Sequence, residues 1–415
     1  MDFINKVLAL REKNSDLRTL RFRSRLSFTH LNVLIRNAVR HKVRELDVDV
    51  ATDDFFNFPR GVIKSEHLKV FRLKSLYPGF RLLPSPVMAS GFPSLHTLSL
   101  SLVALHKQSC LLDLFTEKSF PRLKKLSLDS CLQMKQLKVS CRALKELVIE
   151  NCFQLHGLDI SCLVLEDLRV ENCFEVYNPK SWIKVKAPCL RILSWKHNQV
   201  TGIICLENLT SLDEAFISFP ILYEDGSTQK FHSVYNFLAG LCHARALTLE
   251  TQCIEILSNK KCFGSFYLFD KLKVLELHTG FNKNNVSGLA FLFGSCPILH
   301  TLILRIVNDL KIERKMWSKD IWDPSTSKEE QYWESKIQIL KPFLDHIKVV
   351  KIHGFLDCEN EVSLVKFLLK HGKDLEEMTL CTADCNYRDL LRRQKVRSQM
   401  MGFSWASSNA KLAFY

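Results

Sequence analysis

The stretch SLDSCLQMKQLKVSCRALKELVIENCFQLHGLDISCLVLEDLRVENC, residues 127–173, repeats itself every 21 residues. Leu126, Leu147 and Leu168 hold one phase of the repeat. Leu128, Ile149 and Val170 hold the phase two residues on, and Cys131, Cys152 and Cys173 the phase five residues on. Cys141 and Cys162 keep the same period. Residues two apart point the same way along an extended chain, so each unit offers a short strand with one apolar face and a turn at a small buried thiol. A unit of this size cannot bury that face alone, and stacking on its neighbours is the stable solution. The pattern predicts a solenoid of parallel rungs.

The same pattern extends in both directions. Upstream, core triplets read Leu17/Leu20/Phe22, Val43/Leu46/Val48, Leu68/Phe71/Leu73, Leu95/Leu98/Leu100 and Leu123/Leu126/Leu128. After Leu144/Leu147/Ile149 and Leu165/Leu168/Val170 come Leu190/Leu193/Trp195, a weaker Leu212/Ala215/Ile217, and Ala244/Leu247/Leu249. Leu272/Leu275/Leu277, Leu299/Leu302/Leu304, Ile347/Val350/Ile352 and Leu375/Met378/Leu380 complete about fourteen units. Written LxxLxLxxC, the unit is the leucine-rich-repeat signature. The expected fold is therefore α/β: a horseshoe with a parallel concave sheet and a mixed helical and irregular convex side.

Spacing refines the expectation. Steps of 21 residues leave room for a strand and an irregular return, whereas steps of 25–28 leave room for a convex helix. Ser27–Val43 fits such a helix, with Leu31, Leu34, Ile35, Ala38 and Val39 on one stripe; Glu361–Lys370 fits another. Phe92-Pro93, Phe120-Pro121, Ala187-Pro188 and Cys296-Pro297 precede strands, where proline ends the foregoing helix at little cost to the ladder. The step from Leu302 to Val350 is 48 residues. Its excess carries Trp317, Trp322, Asp323-Pro324 and Trp333, and a long loop of this kind packs onto the flank or meets a partner.

Apolar residues make up 47% of the 415, ample for a continuous core, and a solenoid grows linearly with length. Lys+Arg number 58 against 44 Asp+Glu, a formal +14, and residues 1–50 hold 11 against 6. Most basic residues alternate with repeat leucines, as a solvated strand face requires, so nucleic acid is not the favoured partner. Fifteen cysteines are an odd number, many at inward phases, and the N-terminus lacks an apolar signal segment. Reduced thiols in a cytoplasmic or nuclear compartment are expected. No apolar run reaches the ~18 residues of a membrane span.

Catalytic signatures are absent: no Gly-rich phosphate loop, GxSxG elbow or HExxH helix. Cys381-x-x-x-Cys385 with His371 nearby lacks the spacing and the second pair of a zinc site, so no metal and no cofactor are expected. His278 and His353 face outward without a partner for base chemistry. The informative surface is the concave one, where the residue after each triplet forms a column. Asp129, Glu150 and Glu171 are consecutive in it, on strands about 5 Å apart. Glu146, Asp167, Lys125 and Arg169 lie beside them, and Lys196 follows in the column. Two readings stand: an acidic strip awaiting a basic partner segment, or a hydrated strand end balanced by Lys125 and Arg169, exposed pairs contributing little either way.

The units LxxLxLxxC, together with FINKVLALREKNSDLRTLRFR and LIRNAVRHKVRELDVDV at the start, resemble the leucine-rich part of plant F-box/LRR proteins. WESKIQILKPFLDHIKVVKIHGF, ENEVSLVKFLLKHGKDLEEMTL and SWASSNAKLAFY are similar to the FBD module that closes many members. The division expected is a capping helix over 1–16, with Phe3, Ile4, Val7, Leu8 and Leu10 on one stripe, then a solenoid over 17–332 and FBD-like repeats continuing it over 333–415. In the family the F-box holds a Skp-type adaptor of a cullin ubiquitin ligase while the repeats hold the substrate. No F-box segment stands among these residues, so the resemblance implies the substrate-recognition half: a non-catalytic module that grips a protein or peptide. An F-box-less scaffold associated with nucleic acid through the basic N-terminal region is the alternative.

Overall fold

The structure, a computed structural model, describes residues 17–25, 28–51, 56–57, 60–63, 65–76, 80–81, 91–104, 111–220, 228–258, 269–280, 285–307, 328–355, 359–382, 394, 397–398, 400–402 and 404–415. The capping helix expected over 1–16 lies outside these residues, as do Trp317, Trp322, Asp323-Pro324 and Cys385. The chain divides into two compact units, Met1–Leu212 and Asp213–Tyr415.

The first unit begins with β1 (Thr19–Arg25), α1 (Phe28–Arg40), β2 (Glu45–Ala51), β3 (Phe56–Asn57), α2 (Arg60–Ile63), β4 (Val70–Leu76) and β5 (Phe80–Arg81). It continues through β6 (Thr97–Ser101), β7 (Leu111–Thr116), β8 (Lys125–Asp129), β9 (Gln136–Ser140) and β10 (Glu146–Glu150). β11 (Gly157–Ser161), β12 (Asp167–Glu171), β13 (Asn178–Lys186), β14 (Ile192–Lys196) and β15 (Thr201–Glu207) complete it. β1, β2, β4, β6, β8, β10, β12 and β14 pair in that order, all parallel. The register sets Leu126, Leu147 and Leu168 side by side, with Leu128, Ile149 and Val170 beside them. All six are at most 1% exposed. Each buried leucine or isoleucine stabilises the stack by roughly 1.5–3 kcal/mol, and the burial of like phases side by side is what closes the core.

The return limbs depart from expectation. In the 21-residue steps they are the strands β9 and β11, and the 28- and 25-residue steps expected to carry a helix hold the strands β7 and β13 instead; with β15 these form a second, five-stranded parallel sheet. Leu137 and Val139, Leu158 and Ile160, and Ile183 and Val185 alternate inward along it and are buried. A sheet satisfies the backbone groups that an irregular buried return would leave orphaned. The proline expectation needs the same correction. Phe120-Pro121 and Ala187-Pro188 follow strands β7 and β13, not helices. Phe120 is buried there and stacks on Phe92 at 5.0 Å. The helix expected over Ser27–Val43 is α1, whose Leu31, Leu34, Ile35 and Ala38 are buried.

The second unit holds β16 (Glu214–Ile217), α3 (Thr228–Ala239), β17 (Ala246–Leu249), α4 (Thr251–Leu257), β18 (Val274–Thr279), α5 (Val286–Gly294) and β19 (Thr301–Ile306). It ends with α6 (Lys328–Ser335), α7 (Ile337–His346), β20 (Val349–Phe355), α8 (Glu359–His371), β21 (Glu377–Thr382) and β22 (Lys411–Phe414). Its strands pair in chain order, all parallel. The longer steps of this unit carry helices in place of return strands. Trp333, from the long step, is fully buried between Phe293 at 6.1 Å and Phe367 at 5.7 Å. Glu330 pairs with Lys366 at 2.6 Å and Glu334 with Lys370 at 2.7 Å, which ties α6 to α8. β22 is a rung that the triplet series missed, because Leu412 and Phe414 are only half-buried.

Candidate functional site

Strands β8, β10, β12 and β14 are each followed by a residue with positive φ: Ser130 at 52°, Asn151 at 54°, Asn172 at 51° and His197 at 50°. Asn, Ser and His with short polar arms tolerate this left-handed geometry better than β-branched residues do. The turn places the next residue, the Cys phase, back in the core. Asn172 Nδ2 donates to Asn151 Oδ1 at 3.3 Å, and Asn151 Nδ2 to Asp129 Oδ1 at 2.9 Å. Ser101 and Ser130 also donate to the Asp129 carboxylate, both at 2.9 Å.

Asp129, Glu150 and Glu171 are register partners on β8, β10 and β12, half-buried on the open face. Their situations differ. Burial alone would raise the Asp129 pKa, but the Asn151, Ser101 and Ser130 donors, with the Lys74 charge, outweigh it and hold it below the ordinary value. Asp129 is thus an anchor for the turn ladder. Burial first, then the charges of Glu171 and Asp129, push Glu150 above the ordinary carboxylate value against the pull of Arg169. Among the described residues no side chain donates a hydrogen bond to the carboxylate of Glu150 or Glu171.

Lys125 and Arg169, read from sequence as the compensating charges, serve another column. Lys125 Nζ reaches Glu146 Oε2 at 2.6 Å, and Arg169 clasps Asp167 through Nε at 3.1 Å and a terminal nitrogen at 2.7 Å. Glu146 and Asp167 are neutralised there, and Glu150 and Glu171 are not. Lys196 closes the series as the register partner of Glu171.

Behind the turns the thiols stack. Cys152 donates to the Glu150 carbonyl at 3.3 Å, and Cys173 to the carbonyls of Glu171 at 3.1 Å and Ile149 at 3.4 Å. Burial and then the neighbouring Cys152 raise the Cys173 thiol; Cys162 is raised by burial to about 11. These thiols are free and buried. One rung on, the same phase is taken by Asn198, which sequence reading passed over. Its Oδ1 accepts the backbone N–H groups of Cys173 at 2.7 Å and Phe174 at 3.1 Å, and its Nδ2 donates to the Val170 carbonyl at 2.8 Å. Its place, five residues after Leu193 as Cys173 is five after Leu168, was the available signal.

On the open face of the second unit, His278 does have a partner that the sequence did not show. Glu276 Oε1 accepts from His278 Nε2 at 3.1 Å and from Arg305 Nε, and these donors overcome burial to keep the Glu276 carboxyl low. Burial, then Arg305, lowers the pKa of His353 in the adjacent rung. This is a neutralised ion-pair network. His371, weighed with Cys381 as half a zinc site, bonds to Glu334 at 3.0 Å. Among the described residues no group of three or more His, Cys, Asp or Glu is placed to hold a metal, and no helix is long and apolar enough to cross a membrane.

Comparison with known proteins fits this architecture. The family model described as "At1g61320/AtMIF1, LRR domain" matches residues 139–409. The chain is 48% identical over 417 residues to the putative F-box/FBD/LRR-repeat protein At4g03220 of Arabidopsis thaliana, an alignment covering 99% of this chain and 83% of that protein. It is 24% identical over 213 residues to the FBD-associated F-box protein At5g27750 of the same plant, covering 50% of this chain and 42% of that one. A leucine-rich-repeat domain of this kind has a protein-interaction role. Repeat phase, rung register and relatives agree that the chain belongs to the plant F-box/FBD/LRR-repeat protein family.

Proposed function

We propose that this chain is the substrate-recognition part of a cullin-type ubiquitin ligase, that it has no catalysis of its own, and that it works in the cytoplasm or nucleus. Its first unit receives a basic segment of a target protein on the open strand face. One observation carries the reading. Glu150 and Glu171 sit half-buried on adjacent rungs with no hydrogen-bonding side chain among the described residues, while Glu146 and Asp167 beside them are paired. Two neighbouring carboxylates cost stability through repulsion, and a lysine or arginine from a partner would relieve both. The family supports the ligase context, because the relatives carry F-box in their names.

Proximity labelling in plant cells tests it with the full chain and a Glu150→Lys/Glu171→Lys variant. Proteins labelled by the first and lost from the second should accumulate when cullin ligases are inhibited. An identical labelled set would remove the strand face from the account, and labelled proteins with unaltered turnover would remove the ligase role.

A further inference from the structure

A second charged column runs along the opposite rim of the first unit, at the residue immediately after the first core position of each repeat. In it Arg44, Lys69, His96, Lys124 and Lys145 stack directly. The amide of each later residue donates to the carbonyl of the one before, at 2.8 Å in every step. Glu166 and Arg191 extend the column by the same bonds, at 2.8 and 2.9 Å. Arg44, Lys69, Lys124 and Lys145 are exposed.

Three acids near this rim are already engaged: Glu117 by Arg142 at 3.7 Å, Glu146 by Lys125 at 2.6 Å, and Glu166 by Lys145 at 2.6 Å. Among the described residues Arg44, Lys69 and Lys124 have no carboxylate within ion-pair distance. Beside Lys124 and Lys145 a cleft of about 510 Å³ opens, with Pro121, Ala143 and Val164 as its apolar wall. Val164 is 38% exposed.

We propose that this rim is a second docking surface, distinct from the strand face, and that its occupant is an acidic peptide segment of a partner protein bearing an apolar side chain. Rungs stand about 4.8 Å apart, so cations two rungs apart are separated by about 9.6 Å. An extended peptide rises about 3.3 Å per residue, which brings an acid at every third position opposite alternate cations. The apolar cleft and the Glu166 carboxylate within the column suit a peptide better than a phosphate backbone, which would want an unbroken cationic track and stacking aromatics.

The test uses the full chain and a fluorescent probe peptide of repeating Glu-Ser-Leu units, read by anisotropy. The probe should bind, and Arg44→Gln/Lys69→Gln/Lys124→Gln should weaken it at least tenfold while leaving the melting curve unchanged, since all three side chains are exposed. Val164→Asp, in the cleft, should weaken it as well. Glu150→Lys/Glu171→Lys should leave probe affinity unchanged, which separates this surface from the strand face. Absence of probe binding, or equal binding of a Gln-Ser-Leu control, overturns the proposal. So does a single-stranded oligonucleotide that binds tighter than the probe and is lost in the triple variant, which would make the rim a nucleic-acid surface.

Discussion

The side-chain oxygen of Asn198 accepts the backbone N–H of Cys173 at 2.7 Å, so two residues of one repeat phase are bonded across neighbouring rungs. The thiols at this phase donate to backbone carbonyls as weak S–H donors and satisfy no amide. Asn198 satisfies amides and a carbonyl together, at full burial.

Asn198→Ala therefore strands the amides of Cys173 and Phe174 and the carbonyl of Val170. Leaving such groups buried and unpaired costs about 1–3 kcal/mol each, so a loss of roughly 3 kcal/mol is expected in urea unfolding. Cys152→Ala, which removes one weak donor and little volume, should cost about 1 kcal/mol. Equal losses would contradict the different roles assigned to this phase.

Two acids of the strip, Asp129 and Glu150, predict opposite pH behaviour. Asp129 is held below its ordinary value of 3.8, so its contribution is present above that pH and is lost as pH falls through the lower folded value. Asp129→Asn should destabilise at neutral pH, by an amount that shrinks in acid. Glu150 is raised above 4.5, so its ionisation penalises the fold at neutral pH, and the penalty fades as pH falls from the folded value toward 4.5. Glu150→Gln should raise the melting temperature at pH 7, with the gain vanishing by about pH 4. Thermal melts across this range check both signs.

Trp333 is enclosed by Phe293 and Phe367, and Phe343 stacks in turn on Phe293, in the helical layer of the second unit. Trp333→Ala should cost about 3–5 kcal/mol, the usual price of an emptied aromatic site. A loss below 1 kcal/mol in urea unfolding would show that α6 does not depend on this stack.

Among the thiols Cys189 is exposed, whereas Cys131, Cys141, Cys152, Cys162 and Cys173 are buried. Brief treatment with iodoacetamide should alkylate Cys189 and leave the buried columns unmodified until the protein unfolds. Peptide mass spectrometry reads this directly, and early modification of Cys152 would mean that the turns open.

What was legible in the sequence was whatever repeats with the rungs. Leu126, Leu147 and Leu168 announce the register because burial selects the same side chain at the same phase. The strip Asp129, Glu150 and Glu171 was visible for the same reason. Its chemistry was not, because the donors to Asp129 come from Ser101 and Asn151 on other rungs, and Lys125 and Arg169 choose Glu146 and Asp167 through side-chain rotamers that phase does not encode. The second sheet was missed although QLKVS and GLDIS alternate as strands do. Short alternating runs are ambiguous until a neighbour supplies the ladder. The Glu276–His278–Arg305 network arises between units of unequal step, where no period points to it.

The central claim is that the open face of β8, β10 and β12 is where a partner protein lies. A photo-crosslinking residue at Val148, which sits on that face between Ser127 and Arg169, tests it against the same residue at Lys138 on the return sheet, in native plant extract. The account predicts discrete protein adducts from position 148, lost when Glu150→Lys and Glu171→Lys are added, and none of these adducts from position 138. The same adducts from both positions, or adducts from 148 that survive the two charge reversals, would contradict it.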